Sequence, residues 1–217
     1  MDRSLLAHHP DVGSALRPPT DGQRARLLDA MIRVVAERGY AAASVTDIVR
    51  AAGVSRSTFY ELFTSKEACF LEAYRTGVDV LDERVGEAVH AAKHDWRAQL
   101  RAGIRAYLGA LDHDALFTRA YLLEIHAAGP AALEARADAL RGFAARYRAS
   151  FEQARAEDPS LRPPPADALL VLCAGTEQLL AERAREGRLD GLSELEDVFC
   201  FCAEAVLLGP PTTAPED

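Results

Sequence analysis

The chain has 217 residues, of which 49% are hydrophobic and 27% charged, and its formal net charge is −8. A chain of this length can bury a substantial core, and it contains no apolar run long enough to cross a membrane. The acidic balance argues against a protein that binds nucleic acid through an overall positive field.

Both ends of the chain are predicted to be disordered tails, residues 1–19 and 209–217. The first contains Pro10, Gly13, Pro18 and Pro19 and has no apolar stretch of signal-peptide length. We therefore expect a cytoplasmic protein, in which cysteines remain thiols. The four cysteines lie in apolar helical patterns without the spacing of a metal or disulfide site: Cys69, Cys173, Cys200 and Cys202.

The first predicted helix runs from Gln23 to Arg38. Thr20 and Gln23 have the spacing of a capping box, and Gly39 stands where a helix commonly ends. A wide apolar stripe predicts that this helix packs in a core: Leu27, Leu28, Met31, Ile32, Val34 and Val35.

Two shorter helices follow, joined by a glycine turn. Ser44 and Asp47 form a predicted capping box at the start of the first. Gly53 ends it, because the turn needs a residue that tolerates positive φ. Ser55 caps the second helix, which Phe59, Leu62 and Phe63 would anchor on one side. This succession predicts a helix-turn-helix.

The outer face of the second short helix is polar and carries Arg56, Ser57, Thr58, Tyr60 and Glu61. Hydroxyl and guanidinium groups donate to phosphates and base edges, so this face suits a DNA groove. A carboxylate beside phosphates is repelled unless it finds a donor, and the role of Glu61 stays open. For any single residue the alternative is a solvated surface.

A further helix is predicted to begin after Ser65. Ser65 caps it, and Lys66 lies in its first turn. An ammonium group and free backbone N–H groups at a helix start together favour a phosphate. Lys66 is therefore a predicted phosphate ligand.

The segment from Gly39 to Tyr74, GYAAASVTDIVRAAGVSRSTFYELFTSKEACFLEAY, resembles the DNA-binding module of the TetR family of bacterial transcription regulators. The resemblance implies an all-α protein. A three-helix head with a helix-turn-helix would occupy residues 20–75, and a helical effector-binding and dimerisation domain would occupy residues 76–208. It implies a regulator that binds a pseudo-palindromic operator in double-stranded DNA and is released by a small-molecule effector. Repression is the expected effect on transcription.

The same resemblance implies roles for individual residues. Ser44 and Thr46 would contact the DNA backbone, and Tyr60 and Lys66 would contact phosphates. The recognition helix, opened by Ser55, would present Arg56, Ser57 and Thr58. Many relatives have glycine where this chain has Ser57, so the approach to the groove is narrower here.

Charge is unevenly distributed along the chain. Through Arg75 there are 10 basic and 9 acidic residues, and the remainder has 15 basic and 24 acidic ones. The head is therefore nearly neutral and the rear domain carries the acid. Binding by such a head should depend on a few placed contacts and on dimer symmetry.

The rear domain is predicted to be a bundle of longer helices. The five candidates are Trp96 to Leu111, Ala115 to Ala127, Pro130 to Glu157, Ala166 to Glu186 and Leu192 to Leu208. Gly129 and Pro130 separate the second from the third, and residues 163–165 mark the next break.

Apolar residues recur every three or four positions along the last two helices, which predicts a packing seam. The seam fits an internal core, but the family resemblance implies a four-helix interface between two copies, and we favour the homodimer. The predicted interface comprises Leu169, Leu172, Cys173, Thr176, Leu180, Leu195, Phe199, Cys202 and Val206.

The middle helices hold aromatic and polar residues that predict an effector pocket, although each residue alone is also ordinary core. The candidates are Trp96, Tyr107, Phe117, Tyr121, His126, Phe143, Tyr147, Phe151 and Gln178. Tyr107, Tyr121, His126 and Gln178 stand out because they bring hydrogen-bonding groups into an apolar region. The effector remains unidentified.

Two other functions compete with this interpretation. His90 and His94 have the spacing of two metal ligands on a helix, but a third ligand is lacking and a solvated helix face is favoured. No catalytic motif suggests an enzyme or a cofactor. The remaining alternative is a dimeric architectural protein that binds DNA and senses no ligand.

Overall fold

The computed structural model of the protein describes residues 19–92 and 95–209, and regular structure in these residues is entirely helical. The helices are α1 Pro19–Arg38, α2 Val45–Ala52, α3 Arg56–Leu62, α4 Lys66–Ala91, α5 Trp96–His113, α6 Ala115–Leu122, α7 Pro130–Glu157, α8 Ala168–Arg185 and α9 Glu196–Leu208. Two 3₁₀ segments are Glu124–Ala127 and Leu192–Leu195. The all-α prediction is confirmed. The predicted tails lie outside the described residues except at positions 19 and 209.

The short helices of the head begin and end at the predicted residues. The Ser44 hydroxyl accepts from the Asp47 N–H at 3.2 Å, and the Asp47 carboxylate accepts from the Ser44 N–H at 3.3 Å. Gly53 ends α2 in the left-handed region with φ 64°. The Ser55 hydroxyl accepts from the Thr58 N–H at 3.0 Å. Caps and turn therefore hold α2 and α3 in a helix-turn-helix.

The first helix is longer than predicted. It begins at Pro19, so Thr20 lies inside the helix. Proline is well suited to a first helical turn, where its missing N–H has no intrahelical acceptor. The predicted apolar stripe is buried, and its Met31 belongs to one apolar cluster with Ile48 and Phe59.

Helix α4 links the head to the bundle. Ser65 caps it by accepting from the Ala68 N–H at 3.0 Å. Along its 26 residues it packs first on α1 and then on α5, α6 and α7. Gly77 marks the closest approach, because a Cβ at this position would overlap the Phe117 ring of α6. The two domains are thus joined through one continuous helix and its contact with α6.

The bundle helices differ from the predicted ones at their ends. The predicted helix Ala115 to Ala127 breaks after Leu122, and a 3₁₀ segment follows. At this break the Glu124 carboxylate accepts from the Tyr40 N–H of the head at 2.8 Å. Helix α8 begins two residues later than predicted, after Asp167 at φ 64°.

The last predicted helix is divided at Glu196, where α9 begins. Arg101 and Arg105 of α5 each donate to the Glu196 carboxylate at 2.8 Å, and Arg101 also donates to Asp197 at 2.7 Å. The hydrogen bond from Arg105 is the main reason that the pKa of Glu196 lies below its usual value. This ion-pair cluster ties the start of α9 to α5.

Candidate nucleic-acid interface and internal cavity

Helix α3 presents its polar face to solvent. Ser55, Arg56, Ser57 and Tyr60 are exposed, whereas Phe59 is fully buried beneath them. Tyr60 is 51% exposed, although a large aromatic residue is usually more deeply buried. Helix α3 is therefore anchored on one side and open on the other, as insertion into a groove requires.

The hydroxyl groups at the start of α3 form a small cluster. Ser55 Oγ lies 2.6 Å from Ser57 Oγ and 2.9 Å from Thr58 Oγ1. Thr58 is half-buried by this arrangement, while Ser44 and Thr46 at the start of α2 are exposed. The predicted contact residues of α2 and α3 thus share one surface region, with Ser57 and Thr58 folded back onto the cap.

Lys66, the predicted phosphate ligand, makes contacts within the head that the sequence did not predict. Its ammonium donates to the backbone carbonyls of Tyr40 at 2.7 Å and Ala43 at 2.9 Å, and it lies 4.1 Å from the centre of the Tyr40 ring. Burial lowers the pKa of this ammonium. Two of its three N–H donors hold the loop between α1 and α2, so its first role is structural and only the third is left for a phosphate.

A cavity of about 130 Å³ lies within the bundle. Helices α4 to α9 all contribute side chains to its walls, and most of these side chains are apolar. Examples are Val85, Ile104, Leu140 and Phe199. An enclosed apolar space with a few polar groups is the usual form of a small-molecule site.

Four of the predicted effector residues line this cavity: Tyr107, Tyr121, Phe143 and Tyr147. Burial raises the pKa of all three tyrosines, so their phenols stay protonated. Tyr107 and Tyr121 are close enough for each phenol to influence the pKa of the other. Contact of these four residues with an effector stays a prediction.

The other predicted effector residues do not line the cavity. Trp96, Phe117 and Phe151 are buried in the core, and His126 is exposed. Gln178 is exposed on α8, where its amide donates to Glu182 at 3.1 Å. The neighbouring Glu177 faces the cavity instead, because successive helical residues point about 100° apart.

Glu177 and Gln99 are cavity residues that sequence analysis missed. The signal for Glu177 was available, since it is a carboxylate within the apolar run from Leu169 to Leu180. Glu177 accepts from Arg136 Nε at 2.6 Å, yet burial raises its pKa against the opposing effect of Arg136. The cavity wall therefore contains a buried carboxylate that is paired with a half-buried arginine outside the wall.

The residues predicted for the dimer interface are wrong in most cases. Six are buried within their own subunit: Leu169, Leu172, Cys173, Leu180, Leu195 and Phe199. Thr176 lines the cavity with Cys173 and Phe199, and Val206 is half-buried against the core. A seam at steps of three and four identifies the buried face of a helix, but it does not identify which neighbour covers that face. Only Cys202 of the predicted set is exposed.

The outer side of α8 and α9 exposes a different apolar set. Val171 is 70% exposed on α8, and Val198 and Phe201 are 48% and 74% exposed on α9. The two helices pack against each other, and all three side chains point away from the core of their own subunit. Exposed large apolar groups of this kind mark interaction surfaces.

The alternative metal site gains no support. His90 is exposed, and His94 lies outside the described residues. Among residues 19–92 and 95–209 no cluster of His, Cys, Asp or Glu has the composition of a metal site. No helix within the same residues has the length and apolar character needed to span a membrane.

The sequence of the head matches a known family. Residues 27–73, which contain α2, α3 and their caps, match the model of bacterial regulatory proteins of the tetR family. This segment of the chain is therefore similar to the tetR family of bacterial regulatory proteins. The exposed face of α3 is the face that the helix-turn-helix of a TetR protein would present to DNA.

Similar sequences include several TetR-type regulators. The transcriptional activator FasR of Mycolicibacterium smegmatis is 37% identical over 98 residues, covering 45% of this chain and 44% of FasR. The transcriptional repressor KstR2 of Rhodococcus jostii is 38% identical over 101 residues, covering 44% of this chain and 49% of KstR2. The matches thus span about half the length of these relatives.

Solved structures extend the likeness to the whole TetR fold. FadR of Bacillus subtilis, solved in complex with stearoyl-CoA, has a TM-score of 0.73 at 18% identity and covers 82% of this chain and 96% of its own. FadR of Bacillus halodurans has a TM-score of 0.75 at 17% identity, covering 91% and 99%. At these identities the likeness shows the fold of the bundle.

Proposed function

We propose that the protein is a homodimeric transcription regulator that binds a pseudo-palindromic operator and is released by a small molecule in the bundle cavity. The observation that carries this proposal is the exposed polar face of α3, which buries Phe59 and leaves Arg56 and Tyr60 free to meet a duplex. The family match of the same residues supports it.

Arg56 is the proposed base-reading residue, since a guanidinium pairs bidentately with guanine O6 and N7. Tyr60, Ser44 and Thr46 are the proposed backbone contacts. Glu61 is exposed beside them and would disfavour phosphates at its position. Because the head is nearly neutral, these few contacts must supply most of the affinity.

Selection of bound fragments from genomic DNA, followed by footprinting, tests this assignment. Arg56→Ala should relax base preference at one position of each half-site and cost about 1–3 kcal/mol of binding. Arg75→Ala, which removes an exposed arginine outside α3, is the matched control and should change neither. Equal footprints and affinities for both variants would contradict the contact assignment.

Tyr60→Phe should weaken binding to all sequences by a similar factor, because a phosphate contact carries no base information. Lys66→Ala should do the same, but it also removes the hydrogen bonds that hold the loop between α1 and α2. The tyrosine variant is therefore the cleaner test of a phosphate contact. An altered base preference in Tyr60→Phe would argue against this role.

We propose that two copies associate through the outer side of α8 and α9, around Phe201 and Val171, in place of the buried seam. For both copies to reach successive major grooves, the two-fold axis would have to set the two recognition helices about 34 Å apart. Phe201→Asp should yield monomers in sedimentation velocity and lose operator binding. Leu133→Asp, at an exposed leucine of α7, is the control and should remain dimeric. A dimeric Phe201→Asp protein would place the interface elsewhere.

A route from cavity to head supports the proposed effector response. Tyr121 of α6 lines the cavity, and just beyond the end of α6 Glu124 accepts from the Tyr40 N–H. The Tyr40 carbonyl in turn accepts from Lys66. A ligand that displaces α6 would therefore act on the loop that supports α2. Coupling of ~1–3 kcal/mol would change operator affinity about 5- to 150-fold.

Titration of operator-bound protein with fractions of a metabolite extract tests the response. Release by a fraction supports a sensor, whereas no release by any fraction favours the architectural alternative. Glu124→Ala should retain operator binding but reduce the release, and Glu134→Ala at an exposed position of α7 should not. A reporter gene behind the operator decides between repression, which we propose, and activation.

A further inference from the structure

One oxygen of a buried carboxylate in the cavity wall has no hydrogen-bond partner. Glu177 is 3% exposed, and its Oε1 accepts from Arg136 at 2.6 Å. Its Oε2 is buried and unpaired within the described residues. Leaving a buried acceptor unsatisfied destabilises the protein, and the effect is larger for a charged group. A bound molecule that donates to this oxygen would remove that destabilisation.

The surrounding polar groups narrow the choice of donor. Tyr107 and Tyr121 also line the cavity, but a phenol can both donate and accept a hydrogen bond. Gln99 Oε1 is a second buried acceptor without a partner, but an amide can turn and offer its NH₂ group in place of its oxygen. A carboxylate has no such freedom. Glu177 is therefore the group that discriminates between ligands.

Three kinds of apolar ligand would meet Glu177 differently. A carboxylate ligand would be repelled by it. An ether or ester has no donor and would leave Oε2 unpaired. An ammonium would bond Oε2 but would face Arg136, whose positive charge already compensates Glu177. A hydroxyl group satisfies the oxygen without adding charge.

We propose that the effector is a mainly apolar alcohol or phenol whose hydroxyl group donates to Glu177 Oε2. This inference rests on the proposed function, since it names the ligand class of the same cavity. The apolar walls would bury the hydrocarbon part of the molecule. Gln99, with its adaptable amide, would meet a second polar group when the ligand has one.

Isothermal titration of the full chain with three probes of similar size tests the inference. The probes are 1-hexanol, its isomer methyl pentyl ether, and hexanoate. We expect hexanol to bind at least tenfold tighter than the other two, because only hexanol donates without adding charge. Equal or tighter binding of the ether or of hexanoate overturns the inference, as does the absence of binding by all three. Equal binding of ether and alcohol would indicate that a buried water molecule satisfies Glu177.

Glu177→Gln supplies the matching variant, because glutamine keeps the volume and can turn an NH₂ donor toward the cavity. The preference for hexanol over the ether should fall below threefold. Glu182→Gln, an exposed position on the same helix, should leave it unchanged. An unchanged preference in Glu177→Gln overturns the inference. If that variant does not fold, the ratio measured on the unmodified chain decides.

Failure of this inference is distinguishable from failure of the proposed function. Footprinting of the unliganded protein on its operator does not involve Glu177. A protein with a normal footprint and no preference for the alcohol would refute the ligand class alone. A protein without any footprint would refute the regulator.

Discussion

The head and the bundle are held together by different kinds of interaction. In the head, serine caps at Ser44 and Ser55 bond backbone groups three residues away. In the bundle, aspartate caps begin α5 and α6, whereas α7, α8 and α9 begin without a side-chain cap. Ion pairs between distant residues connect α7 to α8 and α5 to α9. The pair between Arg136 and Glu177 joins residues 41 positions apart.

This contrast fits the tasks proposed for the two regions. A recognition helix must keep one conformation when it binds DNA. Side-chain caps fix the ends of such a helix through hydrogen bonds with residues close by in the sequence. A cavity requires side chains from several helices to stop short of filling the space between them. The bundle accordingly contains buried polar atoms without a hydrogen-bond partner on Gln99 and Glu177. In the described part of the head, the one such atom is on Tyr74, where α4 enters the bundle.

The largest expected effect concerns the stability that the buried Phe59 ring gives to the head. Phe59→Ala should destabilise the protein by about 3–5 kcal/mol, because it empties a fully buried site under α3. Tyr60→Ala, at the exposed neighbour, should cost little stability. Urea denaturation followed by circular dichroism measures both. Similar losses for the two variants would show that α3 is not anchored as described.

A smaller effect is expected where the two regions meet. Gly77→Ala should destabilise by about 1–3 kcal/mol, since the added methyl group overlaps Phe117. Gly142→Ala, in α7 with no neighbour near the added carbon, should stabilise slightly through helix propensity. Thermal unfolding of the two variants gives the comparison. A stabilised Gly77→Ala protein would mean that α4 and α6 separate easily.

The smallest expected effect concerns the charge in the cavity wall. Since the pKa of Glu177 is raised in the folded state, its contribution to stability is greatest below about pH 4.3, where an exposed glutamate titrates. That contribution is lost as pH rises through the raised pKa. The free energy of unfolding, measured relative to Glu177→Gln, should therefore fall over this range. A difference that rises with pH would mean that Arg136 outweighs burial.

Sequence patterns predicted the parts of the fold that depend on near neighbours. The caps at Ser44, Ser55 and Ser65 and the turn at Gly53 follow from spacings of a few residues. The break after Leu122 coincides with a hydrogen bond between Glu124 and Tyr40, which are 84 positions apart. No local pattern contains such a pair.

The site was predicted with the same limitation. Aromatic content placed four residues in the cavity wall, because large side chains in middle helices meet at the centre of a bundle. The sequence analysis named Gln178 as a cavity residue, but Glu177 lies there instead. The apolar pattern did not fix the rotation of α8 about its axis closely enough to separate two successive residues. Burial of Leu180 and Phe199 inside the subunit likewise depends on which helices lie beside α8 and α9.

The ion-pair cluster at the start of α9 gives the bundle an ionic-strength dependence that its apolar core lacks. Arg105 donates to both oxygens of Glu196, but the arginine is exposed, and surface ion pairs contribute little to stability. At 1 M salt, where the screening length is about 3 Å, the ion pair between Arg105 and Glu196 weakens, whereas the apolar packing of the bundle persists. Concentrated salt should thus loosen the attachment of α9, the helix that carries Phe201, to α5 without unfolding the bundle.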